Sequence, residues 1–288
     1  MRVIGSVLLL AWAASAAVRT EMLVSGDWLA QHLKDPGIVI VHVSASRTAY
    51  DAGHIPGARF LSQSDLVVTR DGVPNELPPV ADLEKLFEGL GVSDNSRIVL
   101  YGDSSVLPAT RAYFTLDYLG HGNHTALLDG GLGKWRGDNR TLTQEVPAVS
   151  LGHLTPNPKK DLLAEMAEVK ELSDKAAADK AKAPAALLDV RAAVDFRGEQ
   201  GSHIPGSTNA NWMDSQASRD DQTLRSEEAL RALYTAAGIS PTRPTIVYCN
   251  SGMQATQSYF TLKYLGYTPR LYDGSMSEWK AKSMPLEK

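Results

Sequence analysis

The sequence predicts an α/β protein built from two tandem copies of one unit, each a parallel sheet covered by helices on both faces. Three observations carry this. Three segments recur in the same order at offsets of 144 to 149 residues, each copy alternates short apolar runs with helical patterns, and one copy alone carries a cysteine at a strand-to-helix bend.

The first recurrence pairs YDAGHIPGARF (50–60) with GSHIPGSTN (201–209), matching His54 to His203. The second pairs RIVLYGDSSVLPATRAYFTLDYLG (97–120) with TIVYCNSGMQATQSYFTLKYLG (245–266). Aligning Ile98 with Ile246 and Phe114 with Phe260 makes the second copy two residues shorter between strand and helix. The third pairs LLDGGLGKW (127–135) with LYDGSMSEW (271–279). Chance does not give three ordered matches with slowly drifting offsets. The chain is a tandem duplication.

In the second copy, Glu165–Lys182 is rich in Ala, Lys and Glu and reads mostly as a surface helix. Ala185–Val190 is a short apolar strand and His203-Ile204-Pro205-Gly206 a turn. Glu227–Ala237 is a helix stopped by Gly238, a residue favoured just past a helix end. Thr245–Tyr248 is a β-rich strand, Thr256–Leu265 a helix closed by Gly266, and Arg270–Tyr272 another strand. Such alternation implies right-handed crossovers and parallel pairing. The stretch 137–160 carries Pro147, Pro156 and Pro158 with little apolar periodicity and reads as a linker.

Residues 1–17 have a basic start at Arg2, an apolar run from Val3 to Ala13, and an Ala14-Ser15-Ala16 cleavage pattern. That is the pattern of a secretory signal peptide, too short to span a membrane, and it points to a periplasmic or secreted protein. A buried first helix and an uncleaved anchor are the alternatives. The resulting division is 1–17 signal, 18–140 a non-catalytic unit, 141–160 linker and 161–288 the catalytic unit.

Composition narrows the function. With 43% hydrophobic and 22% charged residues the chain can build packed cores. A net charge of −4 leaves no basic surplus for nucleic acid. One cysteine, Cys249, excludes an internal disulfide, a CxxC pair and a cysteine-based zinc site. No HExxH pattern or carboxylate triad suggests a metal, and no cofactor is implied.

Cys249 lies in TIVY-C-NSGMQ-ATQSYFTLKYLG, between a strand end and a helix start. Ligands of open α/β sheets bind beyond strand carboxyl ends, where helix N-termini point. A helix N-terminus acts as roughly half a positive charge, and loop N–H groups can hydrogen-bond a thiolate. A thiol of pKa near 8.5 is about 3% ionised at pH 7, and one near 6.5 about 75%. Loop geometry is therefore expected to lower the pKa and activate Cys249 without a base. The plain alternative is a small buried hydrophobe. The first copy has Tyr101-Gly102-Asp103-Ser104-Ser105 at this bend and no nucleophile, which favours one catalytic and one supporting unit.

These residues resemble the tandem-domain rhodaneses, a family of sulfurtransferases, over nearly all of the chain after the signal segment. Y-x3-H-I-P-G-A-x2-F at 50–60 is similar to the family's first signature, with Tyr50 for the more usual Phe. Tyr272-Asp273-Gly274-Ser275-Met276-Ser277-Glu278-Trp279 is similar to its C-terminal one. Cys249, Asn250, Ser251, Gly252, Met253 and Gln254 match the six-residue active loop. The resemblance implies two rhodanese-like domains, with Cys249 cycling between thiolate and persulfide and the rest of the loop binding substrate. It implies a small anionic sulfur donor and a thiophilic acceptor as partners, with no nucleic acid and no stable membrane insertion after signal cleavage.

The departures bear on the donor. Thiosulfate-preferring members usually have basic loop residues, and this loop has none. They also tend to carry an arginine where Asp195 precedes Phe196, with Arg197 on its far side here. Mercaptopyruvate-using members typically read C-G-S-G, and this loop keeps the serine as Ser251. Some of those pair the serine with the histidine matching His54 and with an upstream acid, but the position near His42 is not acidic. Asp189 and Arg191 end a strand beside the expected pocket and can orient the loop, hold an anion with Arg197, or form a structural pair. His54 and His203 sit in matching turns and read as structural. The Tyr259, Phe260, Tyr264 pattern repeats Tyr113, Phe114, Tyr118 and reads as core or interdomain packing. The expected function is thiosulfate sulfurtransfer through a Cys249 persulfide. Mercaptopyruvate sulfurtransfer, a low-turnover persulfide carrier, and a phosphatase-like activity are the alternatives, although relatives of the last kind have longer loops.

Overall fold

The computed structural model describes residues 16–199 and 201–288, so the signal segment lies outside the described residues except for Ala16 and Ala17. In the first unit β1 (Leu23–Val24) leads into α1 (Gly26–His32), which Ser25 caps by accepting from Trp28 N at 3.1 Å. Then follow β2 (Ile38–Ser44), α2 (Thr48–Ala52), β3 (Arg59–Ser62), and a hairpin of β4 (Val68–Arg70) and β5 (Val73–Glu76). α3 (Val80–Gly89), β6 (Arg97–Tyr101), α4 (Leu107–Tyr118), β7 (Thr125–Leu128) and α5 (Gly131–Gly137) complete it. The second unit has α6 (Met166–Ala178), β8 (Ala186–Asp189), α7 (Ala193–Arg197), β9 (Thr208–Asn209) and α8 (Glu227–Ala236). It ends with β10 (Thr245–Tyr248), α9 (Met253–Tyr264), β11 (Pro269–Leu271) and α10 (Ser275–Ala281).

Both main sheets are parallel throughout, in the orders β1-β7-β6-β2-β3 and β11-β10-β8-β9. Alternation along β2 shows why both faces need cover. Val39, Val41 and Val43 enter one core and Ile40 another, the period-two signature of a strand buried on both sides. The outer cores belong to one unit each, around Trp135 in the first and Trp279 in the second. The inner core is shared, running from Leu100 and Phe114 to Val247, Cys249 and Phe260.

α4 and α9 meet at the centre of that shared core. Thr110 and Thr256 hydrogen-bond each other at 2.9 Å. Tyr113 packs edge-on against Phe260 with centroids 4.8 Å apart, and Phe114 against Tyr259 at 4.9 Å. The contacts are reciprocal because the two threonines, like the aromatics, occupy matched positions. The units are thus related as the subunits of a two-fold dimer. α4 is buried from Pro108 to Asp117, as expected of a helix walled in on all sides.

Several boundaries differ from expectation. α9 begins at Met253, three residues early, so Met253 and Gln254 form its first turn rather than free loop. The β-strand register also shifts. The Tyr101 and Tyr248 hydroxyls accept from Ile55 N and Ile204 N in the matching turns of the two units, and Leu132 N and Met276 N donate to Gly102 O and Cys249 O. Gly102, not Tyr101, is therefore the counterpart of Cys249, and the second loop is one residue shorter rather than two. α6 is shorter than its composition suggests and buries Val169, Leu172, Ser173 and Ala176 on one face. The proline-rich stretch after α5 is fixed to the first unit: Thr143 pairs with His54 in a β-bridge, Leu154 is buried, and Thr155 N donates to Asp94 at 2.6 Å. No helix among the described residues is long and apolar enough to cross a membrane.

Because the inner core is common property, Phe260→Ala is expected to cost about 3–5 kcal/mol and to destabilise both units in one urea transition. Two separate transitions, with the first unit unaffected, would show that the units do not unfold cooperatively.

Candidate active site

Cys249 follows the last residue of β10 and is buried. Backbone N–H groups of Ser251, Ala255 and Gln254 lie near its sulfur, favouring its charged form, and the Ser275 hydroxyl is close by. Nothing among these is a base. Ser275 ties the turn together: its Oγ accepts from Cys249 N at 3.1 Å and Gly252 N at 3.2 Å and donates to Tyr272 O at 2.8 Å. Asn250 O accepts from Ser277 N and Oγ. Gly252 has φ of +82°, and a Cβ there would meet Asp273 Oδ1 at 2.4 Å, so glycine is required on two counts.

The expected lowering of the thiol pKa is corrected here. Burial pushes the Cys249 thiol above its ordinary value, and the loop N–H groups only partly offset it. The nest of donors is built for negative charge on sulfur, yet the free thiol stays largely protonated near neutrality.

Asp189 and Arg191 form a buried pair. Arg191 Nη2 donates to Asp189 Oδ2 at 2.6 Å, and Nε reaches both carboxylate oxygens. Burial works against the guanidinium's charge, but hydrogen bonds and charge from Asp189 outweigh it and hold its pKa above the ordinary value. Arg191 also reaches Asn250 Oδ1 at 3.4 Å and Ser202 O at 2.6 Å. The pair therefore orients the loop, and its charge is already neutralised. Above Asn250 opens a cavity of about 460 Å³ lined by Arg191, Asp195, Ser202 and Lys280 among others. Cys249 itself does not line it. Arg197 is exposed and does not line it either, so the expected anion-holding role for Arg197 is not supported. Lys280 lines it too and, among the described residues, forms no ion pair; nothing in the sequence singled it out.

Ser251 and His54 are not brought together. His54 stacks on Tyr50 and its two ring nitrogens face the carbonyls of Tyr50 and Glu145. Ser251 Oγ instead accepts from Asn75 Nδ2 at 2.8 Å, a contact from the first unit's β4–β5 hairpin. Beside it, Arg111 donates to Asp273 Oδ1 at 2.5 Å and to Asn75 O at 2.6 Å, and Leu77 N donates to Asp273 Oδ2. Arg111 is fully buried. The active loop is thus held from both units, by residues that carry no motif of their own.

Parallel α/β layers thus set a buried cysteine at the carboxyl end of a strand, ahead of a helix start. Comparison with known families gives the group: the rhodanese-like domain model matches residues 25–138 and 165–282, and the chain belongs to the rhodanese family. It is 36% identical over 278 residues to the sulfur carrier protein TtuD of Thermus thermophilus, covering 90% of this chain and 93% of that one. It is 35% identical over 289 residues to a protein of Saccharopolyspora erythraea provisionally named thiosulfate sulfurtransferase, covering 93% and 97%. Among solved structures it is similar to the 3-mercaptopyruvate sulfotransferase SseA of Escherichia coli, with a TM-score of 0.74, 26% identity, and 88% and 98% of the two chains covered.

Alkylation of Cys249 in the free protein should follow a titration whose midpoint lies above that of a free thiol in the same buffer. Ser275→Ala, which removes the hydroxyl that ties the turn together, should move it higher still. A midpoint below the free thiol would contradict the burial argument. Arg111→Met should cost about 3–5 kcal/mol by leaving Asp273 buried and unpaired. Adding Asp273→Leu should recover much of that loss in chemical denaturation.

Proposed function

We propose that the protein is a sulfurtransferase that moves sulfane sulfur from thiosulfate to a thiophilic acceptor through a persulfide on Cys249. The observation that carries this is the sulfur of a lone cysteine set among three backbone N–H groups, with no base in hydrogen-bond contact. The names of the relatives support it. The Cys249 thiolate attacks the outer sulfur of thiosulfate, the S–S bond breaks, and sulfite leaves with the bonding pair. The persulfide's terminal sulfur carries the negative charge, which the N–H groups stabilise without reorganising. Cyanide or a thiolate then attacks that sulfur and returns the Cys249 thiolate.

The mercaptopyruvate reading is less well supported. Its serine is engaged by Asn75 and its histidine by two carbonyls. The carrier reading keeps one observation in its favour, the burial of Cys249, which slows access by the second substrate. The signal-peptide pattern supports export, so the protein is proposed to work in the periplasm or outside the cell.

Cys249→Ser should abolish sulfur transfer with an unchanged melting curve, since serine keeps the volume and cannot form a persulfide. Lys280→Ala should lower kcat/KM for thiosulfate by about two- to fivefold, the worth of an exposed charge, and flatten its salt dependence. Asn250→Arg should raise it. A wild type that ignores thiosulfate but consumes mercaptopyruvate in a Ser251-dependent way overturns the donor assignment. A full burst of persulfide followed by negligible steady-state turnover with cyanide and small thiols replaces enzyme by carrier. N-terminal sequencing of exported protein should begin at Ala17 or Val18, and retention of Met1 would contradict export by cleavage.

A further inference from the structure

A second cavity, of about 250 Å³, lies between the β4–β5 hairpin, the start of α3, the chain before α6 and the β11–α10 junction. Its charged lining is Glu76, Glu165 and Glu278 against Arg70 alone. Asp273 also borders it, but both its oxygens are engaged by Arg111 and Leu77 N. Arg70 is a weak partner for Glu76, 3.8 Å away and about half exposed. Its Nη2 is committed to Leu77 O. The cavity therefore holds an excess of carboxylate charge on a partly apolar wall that includes Pro79 and Leu163.

A separate observation points the same way. Tyr272 is 1% exposed and lines this cavity, yet no hydrogen bond of acceptable geometry reaches its hydroxyl although Glu278 lies close by. The hydroxyl proton suits the neighbouring carboxylate of Glu278, which leaves the phenol oxygen an acceptor with no donor of its own, and so a place for one. A bare metal ion does not fit, because no three His, Cys, Asp or Glu among the described residues converge closely enough to ligate one. An alkylammonium does. Its three N–H donors suit two carboxylates and a phenol oxygen, and its chain suits the apolar wall.

We propose that this interdomain cavity binds a small organic cation carrying an alkylammonium group, through Glu76, Glu278 and the Tyr272 hydroxyl. The site is separate from the cysteine pocket, and its occupation does not depend on sulfur transfer. It is also placed to be felt there, since Glu76 follows Asn75, which holds Ser251.

Protonation gives a further readout. Burial, with Asp273 and Glu278 facing it and Arg70 and Arg111 partly compensating, pushes the Glu76 pKa up to about 7. Glu165 lines the same space. A cation needs the ionised form, so binding should weaken as pH falls from 8 to 6 and release a proton when it occurs near neutrality.

The test is calorimetric titration of the full chain, without sulfur donor, with n-butylammonium chloride, n-butanol and sodium butyrate. Saturable binding of the ammonium alone is expected, weaker at pH 6 than at pH 8. Glu76→Gln and Glu278→Gln should each weaken it by about tenfold or more, the worth of a charge-assisted contact. Tyr272→Phe should weaken it less. No saturable heat with butylammonium, equal binding of butanol, or an affinity unchanged in folded Glu76→Gln protein each overturns the proposal. The wild-type comparison of ammonium with alcohol decides the matter even where a variant fails to fold.

Discussion

The ion pair between Arg111 and Asp273 is the constraint on which the active loop depends. Arg111 comes from α4 of the first unit, and Asp273 precedes α10 of the second. Two buried charges are costly unless fully hydrogen-bonded, and these are: Arg111 also reaches Asn75 O, and Asp273 also receives Leu77 N. Satisfying them pulls the β4–β5 hairpin against the second unit. That places Asn75 on Ser251, and Asp273 against Gly252 so closely that no side chain fits there. The turn that presents Cys249 is therefore shaped by a residue 138 positions earlier in the chain, an interval read directly from Arg111 and Cys249.

Much of the architecture was legible because repetition is visible in one dimension. The matched HIPG turns, the matched aromatic helices and the matched tryptophans gave two units, parallel sheets and a single cysteine-bearing loop. Cys249 was legible for the same reason, as a nucleophile type at a strand-to-helix bend lacking one in the first copy. The hairpin was not, since Val68–Glu76 has few residues and no clear alternation, and its pairing is fixed by contacts across the interface. Arg111 and Asn75 were equally silent: an arginine within an apolar helix shows its role only when its partner's position is known. The sign of the thiol shift was missed because a sequence shows the helix N-terminus but not the depth at which the sulfur is buried.

The first unit shows how a matching loop is made inert. Gly102 occupies the cysteine's place, and a Cβ added there would strike Ser105 O at 2.1 Å. Where the second unit has the Asp189–Arg191 pair, the first has His42 and Ser44, with Ser44 donating to Asp103 at 2.9 Å. The bend has closed over the nucleophile's position. Restoring a cysteine would need the loop rebuilt, not one substitution.

The packing of α4 on α9 also records what joining the copies made possible. In a true two-fold dimer, a residue near the axis faces its own twin, so an ion pair between equivalent positions is forbidden and like charges would meet. Here Asp117 and Lys263 hold equivalent positions and pair directly, and Asp117 also accepts from the Tyr259 hydroxyl at 2.6 Å. Arg111 and its counterpart Gln257 have also diverged, although these two do not meet: Arg111 pairs with Asp273 and Gln257 donates to Ser215 Oγ. At the Asp117–Lys263 position the halves are no longer interchangeable: two copies of the first would set Asp117 against Asp117, and two copies of the second Lys263 against Lys263.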